Sequence, residues 1–106
     1  CLANDEGYES IFTEQLKALS NPGDLAISFS GSGNSENIIQ ALQWSNNNNI
    51  ETYAILGFDG GKAKKIAKHV IHTEINDMQI SEDFQMIVGH LLMQWLCKTR
   101  LVNDLT

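Results

Sequence analysis

Apolar residues along this chain fall at helical spacing, then in short continuous runs, then at helical spacing again. Tyr8, Ile11, Phe12, Leu16 and Leu19 lie three and four residues apart on one stripe, which predicts a helix from Tyr8 to Leu19. Asn21-Pro22-Gly23-Asp24 ends it, because Pro and Gly favour a turn. Leu25 to Phe29 is a short, mostly apolar run that suits a buried strand. A second helix is predicted over Glu36 to Ser45, with Ile38, Ile39 and Leu42 inward, and the polar tract Asn46 to Asn49 stops it. Thr52 to Leu56, rich in β-branched and aromatic residues, is a second strand. A short helix, Lys62 to Lys68, and a third strand, Val70 to Thr73, follow. The last helix is predicted from Ser81 to Leu101. Ser81 is its expected N-cap, and Glu82 and Asp83 suit the positive end of the helix dipole. Phe84, Ile87, Val88, Leu91, Leu92 and Trp95 give it a broad apolar face.

Helices that alternate with strands in this way predict an α/β fold with a parallel sheet and right-handed crossovers. Three strands make a thin sheet, and the chain begins at Cys1 rather than Met, so further strands are expected before Cys1. The length of 106 residues fits one domain, 1–106. At 42% hydrophobic the chain can bury a core. The net charge of −6, from 13 acids against 7 bases, argues against a nucleic-acid partner, which needs clustered Lys and Arg. Cys1 and Cys97 lie at opposite ends without metal-type spacing and read as free thiols. No apolar run approaches the roughly 18 residues of a membrane span, and no signal peptide is visible. A cytoplasmic protein with no membrane partner is therefore expected.

The candidate chemistry sits where the first strand meets its helix. In parallel α/β sheets, ligands bind at the carboxyl ends of the strands. Ser30-Gly31-Ser32-Gly33-Asn34-Ser35 lies at such an end. A helix N-terminus offers unpaired N–H groups and partial positive charge. Gly31 and Gly33 let the backbone come close to a ligand, and Ser30, Ser32 and Ser35 add hydroxyls. Asn34 is placed to bond either a ligand or the local backbone. This set suits a phosphate monoester that is held, not cleaved; the bland alternative is a plain turn with Ser35 as N-cap. It is neither a Walker loop, lacking Gly-Lys-Ser/Thr, nor a dinucleotide fingerprint, lacking the third Gly. Gly57 to Lys62 closes the second strand and should lie beside it.

Asn4-Asp5, Gly7-Tyr8, Ile11-Phe12, Gln15 and Pro22-Gly23-Asp24 resemble the approach to the phosphate loop in phosphoheptose isomerases of the sugar isomerase (SIS) domain family. Ser30 to Ser35 is similar to the family's phosphate loop, commonly Ser-Thr-Ser-Gly-Asn-Ser, and Asp59-Gly60-Gly61-Lys62 to its second loop. The resemblance covers nearly the whole chain. It implies a three-layer α-β-α sandwich with a flavodoxin-like parallel sheet. It also implies interconversion of aldose and ketose phosphates, notably sedoheptulose 7-phosphate and a heptose 7-phosphate. The family's proton shuttle between adjacent carbons needs an acid and a base of near-neutral pKa. Family members are dimers or tetramers with sites at subunit interfaces, so a homo-oligomer is implied. Other SIS domains bind phosphosugars without turnover, and a close relative of the isomerases assists the bacterial replication initiator, which keeps a regulatory module as the alternative.

By the same resemblance His90 matches the catalytic His of the last helix, while the partner Glu of an early helix would precede Cys1, so this stretch alone is expected to be inactive. Some members bind zinc, and the Gln of that site falls on Glu82, giving Glu82 and His90 as implied metal ligands. At about 100° per residue Glu82 lies roughly 80° from His90, and Asp83 only about 20°. The bland reading of His90 is a partly buried helix histidine. Asp5 matches an acid that faces the sugar hydroxyls; otherwise it is a turn residue. Gly31 stands where the family usually has Thr, and Gln79 where an acid often occurs, so the substrate need not be the standard heptose.

Overall fold

The computed structural model describes residues 7–105, with side chains from 7 to 99. A short 3-10 turn, Tyr8–Ser10, leads into α1 (Ile11–Leu19), then β1 (Leu25–Ser30), α2 (Glu36–Asn47) and β2 (Glu51–Leu56). The single-turn α3 (Ala63–Ile66), β3 (His69–His72) and the long α4 (Met78–Leu105) complete it. The strands form one parallel sheet in the order β1-β2-β3. The predicted α/β alternation is therefore what the chain adopts.

The register sorts the side chains. Phe29 pairs with Ile55, and Ile55 with Ile71, so these share one face. Ala54, Leu56 and Val70 point to the other face, where they pack with Ile39 and Leu42 of α2 and with Ala63 and Ala67. This is the core, and its Leu42 and Leu56 are each 1% exposed. The opposite face receives α4, where Gly89 lies against Phe29. The sheet is thus layered between helices.

The asparagine tract is more than a stop signal. Asn46 Nδ2 donates to Ile66 O (2.8 Å), and Asn46 Oδ1 accepts from Thr52 Oγ1 (2.7 Å). Thr52 Oγ1 also accepts from Lys68 N (3.0 Å), so one small network ties α2, β2 and the end of α3. Asn49 takes the left-handed φ of 61° that turns the chain into β2, a conformation Asn tolerates well. At the solvent end of β2, Glu51 meets Lys68 (3.3 Å) and His69 (3.0 Å). The His69 hydrogen bond first, and then Lys68, hold its carboxyl below the ordinary carboxylate value. Glu51 thus favours the folded state at neutral pH, and that contribution is lost as pH falls through its lowered pKa.

The expected start of the last helix is corrected. It starts at Met78, not Ser81. Asp77 caps it, its Oδ1 accepting from Ile80 N (3.0 Å), while Ser81 is 2% exposed and packs against Gly57 inside the first turns. The apolar face is also largely open within this chain: Ile87, Leu91 and Trp95 are all more than half exposed. What α4 sets on the sheet instead is a narrow row, Ser81 and Gln85, with Gln85 Nε2 donating to Ile55 O (3.0 Å). Likewise β1 is an edge strand whose Leu25, Ile27 and Phe29 remain exposed.

Inside the core layer the Ser45 hydroxyl is fully buried and has no hydrogen-bond partner among the described residues. An unmet buried hydroxyl is unfavourable, so Ser45→Ala is expected to raise stability by about 1 kcal/mol. A rise in the urea midpoint at constant slope would show it; an unchanged or lower midpoint would contradict the assignment.

Candidate functional site

The pairing of Ser30 with Leu56 brings β1 and β2 to the same height, so their two exit loops start side by side. They are then stitched together. Gly57 N donates to Gly31 O (3.0 Å), Ala63 N to Gly33 O (2.9 Å) and Lys62 N to Asn34 Oδ1 (2.9 Å). The fit depends on glycine at position 33. Its φ is +71°, and a Cβ there would lie 2.1 Å from Gly60 O.

Within the first loop, Ser30 is buried and its Oγ accepts from Gly33 N (2.9 Å). Ser32 Oγ accepts from Asn34 N (3.1 Å). An accepting hydroxyl keeps its own hydrogen to donate. Ser35 occupies the N-cap of α2 but makes no capping hydrogen bond with its side chain, so the plain-turn alternative lacks its defining contact. The N–H groups of Ser35, Glu36 and Asn37 have no acceptor among the described residues. They form the donor end of a 12-residue helix. The nearby Glu36 carboxylate accepts instead from Gln40 (3.4 Å). An open groove beside the loop is lined by Asn34, Asp59, Lys62, Lys64 and Lys65, so the flank of this acidic protein next to the loop is locally rich in lysine. The arrangement can hold an anion by N–H and hydroxyl donors.

The second loop has an unusual backbone. Phe58 adopts a left-handed φ of 46°, which is disfavoured for an aromatic residue. Its N–H donates to Ile75 O (3.1 Å), and its carbonyl accepts from His72 Nε2 (2.8 Å), which identifies the Nε2–H tautomer. Met78, at the start of α4, lies over Gly31.

The structure therefore gathers Ser30, Gly31, Ser32, Asn34 and Ser35 at one point, but with different duties. Ser30 braces the loop, the Asn34 carbonyl is engaged by Lys62, and Ser32 and Ser35 keep free donor capacity. Asp5 lies outside the described residues. His90 is exposed on α4 and has no hydrogen bond to the loop among the described residues. About 18 Å of helix separates it from Met78, the α4 residue that does touch the loop. Glu82 is also exposed, with about 12 Å of helix rise between it and His90. No cluster of three His, Cys, Asp or Glu is present among the described residues. Sequence reasoning missed Phe58, His72 and Met78, whose roles arise from loop and helix ends meeting in space and leave no local pattern.

The family model described as SIS domain matches residues 4–94. The chain is 34% identical over 93 residues to the phosphoheptose isomerase of Akkermansia muciniphila and 38% identical over 93 residues to that of Aquifex aeolicus. In each case the match takes in 88% of this chain and 49% of the relative. The chain spans about half the length of the curated relatives it matches. The solved phosphoheptose isomerase of Neisseria gonorrhoeae superposes with a TM-score of 0.82 at 27% identity, over 85% of this chain and 51% of that one.

Proposed function

Because the chain belongs to the SIS domain family, we propose that it supplies the phosphate-holding part of a phosphosugar isomerase of the phosphoheptose type. The observation that carries this reading is the open donor end of α2, framed by Ser32 and Ser35 and clamped by the second loop. The loop grips the phosphate of a sedoheptulose 7-phosphate-like substrate, and an aldose–ketose proton transfer takes place farther along the sugar. The names of the relatives favour turnover over a purely regulatory binding module. Histidine is the commonest general acid–base residue, so His90 suits that role. Its distance from the loop within one chain is met if the protein is a homo-oligomer in which His90 serves the loop of a neighbouring copy. The open apolar face of α4 gives that neighbour a surface to bury. The setting is a cytoplasmic pathway that makes cell-surface sugars, with no nucleic acid or membrane as partner.

The test is an NMR titration with sedoheptulose 7-phosphate. The amide signals of Ser35, Glu36 and Asn37 are expected to move most. Ser35→Ala, which removes one hydrogen bond to a charged group, should weaken binding about tenfold. Shifts that avoid residues 35–37, together with an unaltered affinity in the variant, would remove the basis of the proposal.

A further inference from the structure

The loops offer unlike groups at neighbouring positions. On the side of residues 32–37 the exposed groups are hydroxyls and N–H donors. At residue 31 there is no side chain, and the space is taken by others. A Cβ on Gly31 would lie 2.8 Å from Met78 Sδ, 3.2 Å from Met78 Cε and 3.9 Å from Phe58 Cε2. A thioether and an aromatic ring thus stand where a residue-31 side chain would otherwise project. Phe58 is held in its disfavoured left-handed conformation by bonds to Ile75 and His72, and a strained residue kept in place by its surroundings marks a functional position. Met78 remains 47% exposed, so it faces solvent at the mouth of the loop rather than the core.

We propose that Met78 and Phe58 form an apolar wall that receives the ester methylene of the bound phosphosugar and so fixes the direction in which the sugar leaves the phosphate. The inference rests on the phosphate-loop reading above. A phosphate monoester has three oxygens that seek donors and one bridging oxygen that carries a carbon. In this loop the donors come from residues 32–37 and the apolar atoms stand at residue 31, so an ester carbon placed toward residue 31 leaves the phosphate oxygens to the donors. Met78 and Phe58 are then specificity-determining residues: they distinguish an ester from free phosphate. His72 is a positioning residue, acting through the Phe58 carbonyl.

The experiment compares the affinities of sedoheptulose 7-phosphate and inorganic phosphate. Met78→Ala should weaken the phosphosugar about fourfold, the worth of one buried methylene, and leave inorganic phosphate within about twofold. Met78→Leu should keep both affinities. Gly31→Thr, which collides with the thioether, should weaken the phosphosugar, and adding Met78→Ala should recover part of that loss, since residues in contact are not additive. Equal losses for both ligands in Met78→Ala, or no loss for either, would overturn the wall. If the unaltered protein binds neither ligand, the phosphate-loop reading itself falls and takes the wall with it. Met78 is exposed, so the variant is expected to fold, and an unchanged melting temperature confirms it.

Discussion

Replacing Gly33 with alanine is expected to lower stability by about 3 kcal/mol and to abolish phosphosugar binding. Two effects add. A left-handed residue with a Cβ costs roughly 1–2 kcal/mol. In addition, the new carbon would sit 2.1 Å from Gly60 O, which is backbone and cannot swing aside. The loops must part, and with them go the bonds from Ala63 N to Gly33 O and from Lys62 N to Asn34 Oδ1, each worth about 1 kcal/mol. Gly23→Ala is the matched control. It has a φ of +93° but nothing within 4 Å of its Cβ position. It should show the conformational cost alone, about 1–2 kcal/mol, with binding intact. Denaturant unfolding of both variants separates the contributions; equal losses in the two would mean that the loop contact has no energetic weight.

A larger effect is expected on turnover. In an isomerase assay of the full-length protein, loss of solvent-proton exchange at the substrate's C2 by about 10²–10⁴-fold should follow His90→Ala, while phosphosugar affinity is kept. The imidazole stands about 18 Å along α4 from the residue that touches the loop, so the deficit should be complemented in trans. A mixture of His90→Ala with the binding-deficient Gly33→Ala, unfolded and refolded together, would form assemblies in which an intact His90 meets an intact loop. Activity well above that of either variant alone is the expected outcome. Two inactive variants that stay inactive when mixed would place His90 and the loop of one chain in the same site, or remove His90 from the chemistry.

Much of the fold was legible because it is written in local patterns. Leu25 to Phe29 and Thr52 to Leu56 lie within strands, and the Ser30–Ser35 loop falls between β1 and α2 as its composition suggests. Short apolar runs and small-residue loops depend mainly on neighbours in sequence. The start of α4 was misjudged for the same reason. Ser81 has the chemistry of a cap, but Asp77, four residues earlier, has it too, and the choice went to the residue that lets Ser81 pack against Gly57. The spacing of α4 gives a broad apolar face, yet among its described residues only Ser81 and Gln85 are buried. A stripe says that a face is apolar, not which surface will cover it.

The sequence by itself determined the alternation of helices and strands, the parallel sheet and the position of the donor-rich loop, since each follows from spacing and residue type within a few positions. Only the tertiary structure decided which of the loop's groups are free. Ser30 and Asn34 turn out to be struts, Ser32 and Ser35 stay open, and Met78 comes from 47 positions away to stand over Gly31. The physical reason is that a hydrogen-bonding group serves a ligand only if no neighbour has already satisfied it, and those neighbours are set by how the strands register, not by their place in the chain.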